Sequence, residues 1–351
     1  MKKILVGMSG GVDSSVAALL LKKEGYHVAG ATLLLCPDAA ENSREVQDAR
    51  AVCEHIGIDH YAIDMHRRFD EDVIRPFCEE YIRSRTPNPC IECNRRIKFG
   101  AMLDWALNMG FDGIATGHYV RCERMGESYA LLRSKSAKDQ SYVLWQLDQH
   151  QLSHAVFPLY GMEKQQIRTL IEEAQLPIFS KKDSQDICFI PDGDYAGFIQ
   201  KIYQNDTIKQ QLTPGSFVDV NGNRLGSHNG LLHYTIGQRK GLGGGFPQPM
   251  FVLQLKPEGN EIVIGTNEQC FAGKVECSGV NIIQPEITPD QFACEVKLRY
   301  AAKPAKALVT IDGSKAYIYL ETPQRAVTPG QSAVFYDGDR VIGGAVIDRA
   351  E

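Results

Sequence analysis

The chain has 351 residues, of which 43% are hydrophobic and 23% are charged, and its formal net charge is −5. This composition is ordinary for globular proteins and excludes a disordered or fibrous chain, while the length predicts two or three domains. The negative net charge excludes a protein that coats nucleic acid by bulk electrostatic attraction.

The apolar runs are too short for membrane insertion. The longest, residues 28–36, is far shorter than a bilayer span. The apolar stretch at the N-terminus ends at Gly7, before it reaches the length of a signal-peptide core. We therefore expect a cytoplasmic protein without membrane attachment.

The N-terminal third alternates short apolar runs with helical patterns, which is typical of a doubly wound α/β domain with a parallel sheet. Strands are predicted at residues 2–8, 27–35, 60–65 and 113–117. Helices are predicted at residues 12–23, 43–56, 69–82 and 96–109, the first two ending at Gly25 and Gly57. The material from residue 140 to about residue 202, with a helix at 164–174, extends this domain.

Beyond residue 205, glycine and proline become frequent and strand-length alternations are separated by turn dipeptides. These dipeptides are Asn221-Gly222, Asp312-Gly313 and Asp337-Gly338. The pattern predicts two small β-rich domains. We place the boundaries so that the domains span residues 1–204, 205–272 and 273–351.

A turn rich in glycine and serine, residues 7–15, lies between the first predicted strand and the first predicted helix. An open α/β sheet binds its ligand at this position. Glycines let the backbone approach a phosphate, and serines add hydroxyl donors at the positive end of a helix. The turn matches neither G-x-x-x-x-G-K-[ST] nor G-x-G-x-x-G. It resembles the PP-loop of ATP pyrophosphatases, which cut ATP between the α and β phosphates and adenylate a carbonyl oxygen.

The ten cysteines are spread along the chain, with one close pair, Cys90-x-x-Cys93. We expect reduced thiols, some of them catalytic or metal-binding. An adenylated carbonyl needs a nucleophile, and thiols suit this task when a cation or a helix N-terminus raises the thiolate fraction. Cys93 lies before the predicted helix at 96–109 and beside two arginines, and Cys188 lies in the polar segment 183–190.

Eight segments, taken together and in this order, resemble the bacterial tRNA-specific 2-thiouridylases of the MnmA type. The segments are residues 7–15, 86–89, 93–99, 115–119, 138–142, 186–190, 234–241 and 298–300. The resemblance runs through the whole chain. It implies an N-terminal PP-loop domain of the adenine nucleotide alpha hydrolase-like type, followed by two small β-rich domains, the last a β-barrel.

The resemblance also implies an activity, the 2-thiolation of the wobble uridine, position 34, of tRNA. In that reaction ATP adenylates the C2 oxygen, sulfur from a cysteine persulfide replaces it, and AMP and pyrophosphate are released. Cys188 would carry the persulfide, and Cys93 would be the nucleophile that leaves a Cys93–Cys188 disulfide. The implied cofactors are ATP and phosphate-bound Mg²⁺. The implied partners are tRNAs such as those for Lys, Glu and Gln, and a cysteine desulfurase or sulfur-relay protein. We expect a monomer.

The same resemblance assigns residues to the two substrates, and it assigns none to a metal site of the protein. The residues implied for ATP are Gly7, Met8, Ser9, Gly10, Gly11, Val12, Asp13, Ser14, Leu33 and Gly117. The residues implied for the target base and the tRNA are Asn88, Pro89, Cys90, His118, Lys138, Asp139, Gln140, Arg299, Tyr300 and Gln331. Two positions depart from the family, since many relatives have aspartate at Cys90 and methionine at Leu33.

Other functions stay open. One is a different PP-loop adenylating ligase, such as an amidotransferase-linked, lysidine or argininosuccinate synthetase. Another is a nucleotide-regulated RNA-binding protein without catalysis, in which the β domains and the basic clusters at 83–98 and 294–306 hold RNA.

The cysteines could also have roles other than the two-cysteine mechanism. Cys90, Cys93 and Cys188 offer three soft ligands to an iron–sulfur cluster, an arrangement we favour less than the two-cysteine mechanism. Cys90 and Cys93 could also form a redox disulfide. A single C-x-x-C pair does not predict structural zinc.

Overall fold

A computed structural model describes residues 1–36, 39–136, 138–177, 187–203 and 206–351. Residues 183–186, part of the polar segment before Cys188, lie outside the described residues. Within the described ranges, no helix is both long enough and apolar enough to cross a membrane.

The helices and strands are numbered in chain order. The strands are β1 (Lys3–Gly7), β2 (His27–Leu34), β3 (Asp59–Asp64), β4 (Gly113–Ala115), β5 (Val120–Met125), β6 (Ser128–Arg133), β7 (Ala155–Val156), β8 (Gly215–Val218), β9 (Arg224–His228), β10 (Phe251–Lys256), β11 (Glu261–Gly265), β12 (Phe271–Ile282), β13 (Gln291–Lys297), β14 (Ala305–Asp312), β15 (Lys315–Arg325), β16 (Ser332–Asp337) and β17 (Arg340–Ala350). The helices are α1 (Val12–Lys23), α2 (Arg44–Ile56), α3 (His66–Phe69), α4 (Arg75–Ile82), α5 (Pro89–Glu92), α6 (Leu103–Asn108), α7 (Gln149–Ser153), α8 (Lys164–Glu173), α9 (Tyr195–Ile202) and α10 (Asp206–Leu212).

Five parallel strands form the N-terminal sheet in the order β3-β2-β1-β4-β7. Alternate residues of β1 enter different cores: Ile4 and Val6 pack with α1, α2 and α8, whereas Leu5 packs on the opposite side with α6. Helices therefore cover both faces of the sheet, which confirms the predicted doubly wound α/β class.

The sequence predictions for this domain hold for all four strands and for the helices at 12–23, 43–56 and 164–174, each within two residues of the observed ends. Gly25 and Gly57 have the predicted positive φ angles, 87° and 67°. The helix predicted at 69–82 begins three residues earlier, at His66, and runs through a π-helical stretch, Asp70–Ile74, into α4.

The helix predicted at 96–109 is wrong at its start. The helical path begins at Pro89 and continues through α5, a π-helical stretch Cys93–Met102, and α6. Two sequence signals mark this start. The Asn88 side chain accepts a hydrogen bond from the Cys90 backbone N–H at 3.1 Å, and Pro89 occupies the first helical position. Cys90 and Cys93 are therefore helical residues.

The last part of the chain forms a closed six-stranded antiparallel barrel. Its strands follow the order β12-β15-β14-β13-β16-β17, and β12 also pairs with β17. Before the barrel, β8 to β11 form a four-stranded sheet in the order β10-β11-β8-β9. The three predicted turn dipeptides lie in hairpins, and their glycines have positive φ angles. The predicted architecture of an α/β domain, a small β domain and a final barrel is confirmed, while the exact boundaries after residues 204 and 272 stay a prediction.

Buried polar contacts connect the barrel to the N-terminal domain. The Tyr142 hydroxyl donates to the Ser332 carbonyl at 2.9 Å, and the Trp145 indole N–H donates to the Ser332 hydroxyl at 3.0 Å. The half-buried Arg85 donates to Asp348 of β17 at 3.0 Å and also pairs with Glu80 at 2.6 Å. These contacts fix the loop that precedes Pro89 against the barrel.

We predict that Arg85→Ala lowers the free energy of unfolding by about 1–3 kcal/mol, because it removes the cation that pairs with Asp348 and leaves Glu80 only its longer pair with the exposed Arg83. The matched control is Arg83→Ala. Arg83 is exposed and also pairs with glutamates, so its loss costs less than about 0.5 kcal/mol. Urea denaturation of both variants measures the difference, and equal effects would show that the Arg85 pairs do not stabilise the interface.

Candidate functional site

The turn between β1 and α1 has the geometry of an anion site. Gly10 has a φ angle of +67°, and Gly11 occupies the N-cap of α1. Since Gly11 has no side chain, it leaves the first N–H groups of α1 for an external acceptor. The turn lies at the carboxyl end of β1, next to β4, where the strand order reverses.

The serines of this turn hold its shape. The Ser14 hydroxyl donates to the Gly11 carbonyl at 3.1 Å and accepts from the Ser9 backbone N–H at 3.3 Å. The Ser15 hydroxyl also donates to the Gly11 carbonyl, at 2.9 Å, and its side chain is fully buried. Our expectation that Ser15 offers a hydroxyl to a phosphate is therefore wrong: it fixes the loop from inside.

Asp13 joins this turn to the segment that follows β4. The Tyr119 hydroxyl donates to one Asp13 carboxylate oxygen at 2.6 Å, and the Lys138 ammonium lies 3.6 Å from the other. The Lys138 ammonium also lies 4.9 Å from the centroid of the Tyr119 ring. Gly117 fits closely here, since a Cβ on it would lie 2.9 Å from the Asp13 carbonyl carbon. The structure thus brings the predicted ATP residues Asp13 and Gly117 together and adds Lys138 to them.

Leu33, the remaining residue predicted for ATP, lies on β2 away from the turn itself. Its half-buried side chain packs against two hydrophobic cores, one under the sheet and one around Cys93. It therefore contacts both the core under the sheet and the core that contains Cys93.

A second group of functional side chains surrounds Cys93. Cys93 is 9% exposed and belongs to the same hydrophobic core as Phe189 and Ile190, the two residues after Cys188. The Phe189 ring contacts Phe69 and Phe77 edge-on, with centroids 5.6 and 5.3 Å apart. This packing holds the exposed Cys188 next to the helix that carries Cys93.

Four cysteines interact electrostatically in this group, which we call the thiol cluster: Cys36, Cys90, Cys93 and Cys188. Desolvation by the surrounding protein raises the pKa of the Cys93 thiol to about 11 and that of Cys188 to about 12. It also raises the pKa of Cys90. All ten cysteines are among the described residues, and none of them is joined in a disulfide there. The resting thiols are therefore protonated at neutral pH.

The cation near these thiols differs from the one the sequence suggested. Arg95 is exposed, and Arg96 pairs with Glu92 at 2.8 Å and with Asp72 at 3.6 Å. Lys98 instead lowers the pKa of Cys90, Cys93 and Cys188, against the larger effect of desolvation. Cys93 is also one turn inside the helical path, so the helix N-terminus does not activate it as we expected.

Several residues predicted to touch tRNA have structural contacts instead of free surfaces. The Gln331 amide donates to the Thr86 carbonyl at 2.6 Å across the barrel interface. Asp139 accepts hydrogen bonds from the backbone of Ser134 and Ser141, and Gln140 accepts one from Tyr119. These three residues shape the loops of the site.

His118 is likewise buried, at 9% exposure, and its Nδ1 lies 2.7 Å from the Thr116 hydroxyl. Burial, helped by the charge of Lys98, holds the pKa of His118 well below its ordinary value, so the ring is neutral. Asn88 caps α5 and Pro89 is buried, whereas Cys90, in the first turn of α5, is exposed.

Arg299 and Tyr300 do stand on an exposed loop, between β13 and β14. The Tyr300 ring contacts Tyr142 edge-on at 5.9 Å, and the buried Lys297 places its ammonium 5.7 Å from the Tyr300 centroid. Tyr300 also interacts electrostatically with Cys90. The barrel therefore presents an aromatic ring, 44% exposed, beside the thiol cluster.

Three residues of the site were missed by the sequence predictions: Cys36, Lys98 and Tyr119. Lys98 and Tyr119 lie within family-like segments, at 93–99 and 115–119, so a signal existed for both. Cys36 ends the longest apolar run and gave no such signal. Among the described residues, no three His, Cys, Asp or Glu side chains are grouped so as to hold a metal ion, and Cys90, Cys93 and Cys188 do not form a cluster ligand set there.

Comparison with known families agrees with this architecture. Three family models match the chain in sequence: a tRNA methyl transferase HUP domain over residues 2–192, a tRNA methyl transferase PRC-barrel domain over 203–266, and an aminomethyltransferase beta-barrel domain over 273–347. The fold and the anion-binding turn thus define a HUP-type nucleotide-binding protein with two appended β domains.

The relatives identify the family within this class. The chain is 44% identical to the tRNA-specific 2-thiouridylase MnmA 2 of Thermoanaerobacter sp. (strain X514), over 99% of this chain and 98% of that protein. It is 43% identical to the tRNA-specific 2-thiouridylases MnmA of Acetivibrio thermocellus and of Clostridioides difficile, over 99% of each chain. The chain belongs to the tRNA-specific 2-thiouridylase family, which confirms the resemblance.

The two glycines of the turn give a matched pair of variants. We predict that Gly11→Ala keeps the fold, because Gly11 has φ of −101° and a Cβ would meet only the Ser9 hydroxyl, at 3.2 Å. It should weaken ATP binding about tenfold or more by filling the space above the helix N–H groups.

Gly10→Ala should instead destabilise the protein by about 1–2 kcal/mol or more, since its φ is positive and a Cβ would lie 2.8 Å from the Glu45 carbonyl oxygen. Calorimetric ATP titration and thermal melting of both variants check this. A Gly11→Ala protein of normal ATP affinity would place the phosphates elsewhere.

Proposed function

We propose that this chain uses ATP to activate the C2 oxygen of the wobble uridine of tRNA and replaces it with sulfur carried by Cys188. The chain is an enzyme of the family's reaction class, a tRNA-uridine 2-sulfurtransferase. The observation that carries the proposed mechanism is the position of Cys188 next to Cys93, fixed by the packing of Phe189. An adenylating ligase of another kind needs no such pair of thiols.

ATP would bind with its phosphates at the β1–α1 turn, where the N–H groups at the start of α1 point toward an anion. Asp13 and Lys138 lie at the edge of this turn and would orient the nucleotide, Asp13 being the acid available to Mg²⁺, while the buried Tyr119 fixes Asp13. Attack of the uridine C2 oxygen on the α phosphate forms the adenylated base and releases pyrophosphate. This step makes the oxygen a leaving group as part of AMP.

Two cysteines are sufficient to transfer the sulfur atom and to account for every bond made and broken. The terminal sulfur of the Cys188 persulfide attacks C2, forms a carbon–sulfur bond and expels AMP. Cys93 then loses its thiol proton to solvent, and the resulting thiolate attacks the Cys188 Sγ and breaks the sulfur–sulfur bond. The electron pair of that bond remains on the sulfur at C2, which becomes the 2-thio group, and a Cys93–Cys188 disulfide forms. An external thiol must reduce this disulfide before the next turnover.

Protonated resting thiols fit this sequence. With the pKa of Cys93 raised to about 11, only a small fraction of that thiol is ionised at neutral pH. A protonated thiol is a poor nucleophile, so the site resists premature disulfide formation until substrate binds. The persulfide would be supplied to the exposed Cys188 by a cysteine desulfurase or a sulfur-relay protein.

The tRNA would approach the barrel loop that carries Arg299 and Tyr300. Arg299 offers a cation to a phosphate, and Tyr300, next to Cys90, offers a ring on which an unstacked uridine can lie. We propose tRNAs for Lys, Glu and Gln as substrates, and a monomeric cytoplasmic enzyme.

The thiol variants test the mechanism. Cys93→Ser and Cys188→Ser should each abolish 2-thiouridine formation, because each removes a sulfur that makes or breaks a bond. Cys90→Ala should retain substantial activity, and Cys122→Ser, a half-buried thiol outside the thiol cluster, serves as the control. Mass spectrometry of wobble nucleosides after a reaction with purified tRNA gives the readout.

Other outcomes point to the alternatives. A folded but inactive Cys90→Ala variant, with iron and sulfide in anaerobically purified protein, would favour the iron–sulfur cluster. Full activity of both Cys93→Ser and Cys188→Ser would exclude the persulfide mechanism, and an absence of thiolation in the unmodified protein would favour a nucleotide-regulated RNA-binding protein.

The salt dependence of tRNA affinity tests whether the Arg299 loop binds tRNA. Arg299→Ala should weaken tRNA binding and reduce the slope of log affinity against log salt by about one, because each phosphate contact contributes to that slope. Lys315→Ala is the matched control. Lys315 is the exposed first residue of β15, at the other end of β14 from the Arg299 loop. Filter binding at several salt concentrations measures the slope for both variants and for the unmodified protein. If Arg299→Ala has the same slope as the unmodified protein, Arg299 does not contact the RNA.

A further inference from the structure

Lys98 is a half-buried cation that the mechanism above does not use. It lies in the π-helical stretch Cys93–Met102. No carboxylate lies within ion-pair distance of its ammonium among the residues that the structure describes. The other basic residues of the same stretch, Arg95 and Arg96, are exposed. A lysine is costly to bury without a partner, so its position calls for an anion.

The local helix geometry directs Lys98 toward Cys93. In a regular α-helix, two residues five apart stand about 140° from each other around the axis. A π-helix forms i to i+5 hydrogen bonds, which bring residue i+5 one turn above residue i, and such stretches are frequent at functional sites. Cys93 and Lys98 are five apart and both lie in the π-helical stretch, so they share a helix face.

The neighbours of Lys98 come from three parts of the chain. Its charge acts on Cys90 and Cys93 of its own helix, on Cys188 beyond α8, and on the buried His118 after β4. Phe99, the next residue, contacts the His118 ring at 6.2 Å between centroids. Lys98 thus lies between the thiol cluster and the segment that packs on the ATP turn.

We infer that Lys98 is the positioning cation of the sulfur-transfer step, which holds the anionic sulfur of Cys93 and of the Cys188 persulfide in line for transfer. This inference rests on the proposed function. In this scheme no proton or electron passes through Lys98, and the side chain acts only through its position beside the sulfur atoms. An ammonium in a partly desolvated site acts more strongly on such an anion than it would in water.

The test compares Lys98→Met, which removes the charge and keeps most of the volume, with Lys98→Arg, which keeps the charge. The matched control is Arg95→Met, which removes an exposed cation from the same π-helical stretch. The first readout needs no tRNA: the rate of alkylation of Cys93 and Cys188 by iodoacetamide between pH 7 and 10, measured for each site by peptide mass spectrometry.

Below the thiol pKa, the alkylation rate is proportional to the thiolate fraction. Lys98→Met should therefore lower the rate at both sites by about three- to tenfold at a given pH, and Lys98→Arg should restore most of it. Arg95→Met should change it little. Thermal melting confirms that each variant is folded.

A second readout is single-turnover sulfur transfer from persulfide-loaded protein. Lys98→Met should slow the appearance of 2-thiouridine while ATP affinity stays normal. If Lys98→Met leaves the alkylation profiles unchanged, Lys98 does not act on the thiols and the inference fails. That outcome is separate from the thiol variants, whose activity alone decides the proposed function.

Discussion

The seating of Phe189 among the aromatic rings of Phe69 and Phe77 is the contact on which the site depends. Edge-on aromatic pairs contribute about 0.5–1.5 kcal/mol each beyond the burial of their area. Here they anchor Phe189, the residue after the exposed Cys188, in the hydrophobic core that contains the buried Cys93. Without this contact, nothing in the packing described here would keep the Cys188 segment on the core that contains Cys93. In the proposed mechanism, sulfur transfer therefore depends on a hydrophobic contact that takes no part in the chemistry.

The ATP turn and the thiol cluster are separate in sequence and joined by rigid elements. The helical path from Pro89 to Asn108 carries Cys90, Cys93 and Lys98, while the segment after β4 carries Gly117, His118 and Tyr119. Contact between Phe99 and His118 ties these two elements together. The barrel completes the arrangement, because Gln331 fixes the loop before Pro89 and Tyr300 stands beside Cys90. The proposed mechanism needs this connection, because activation and sulfur delivery have to act on the same base.

Much of this could be predicted from the sequence, because periodicity and turn residues report local structure. The four strands, the first helix and the three hairpin turns follow from patterns within a few residues. For the helix that begins at Pro89, the predicted start at residue 96 is wrong, although the Asn88-Pro89 pair is a good helix start. The exposure of Arg95, the burial of His118 and the position of Lys98 depend on packing between distant segments and on a π-helical stretch, which no local pattern specifies.

The central claim is that sulfur passes from Cys188 to the uridine and that Cys93 resolves the bond. Peptide mapping without reductant, after one turnover of persulfide-loaded protein with ATP and tRNA, tests it most directly. We expect one Cys93–Cys188 disulfide for each AMP and each 2-thiouridine formed, and a persulfide located on Cys188 before the reaction. A Cys90–Cys93 disulfide in its place, or 2-thiouridine formed with all three thiols still reduced, would contradict the account.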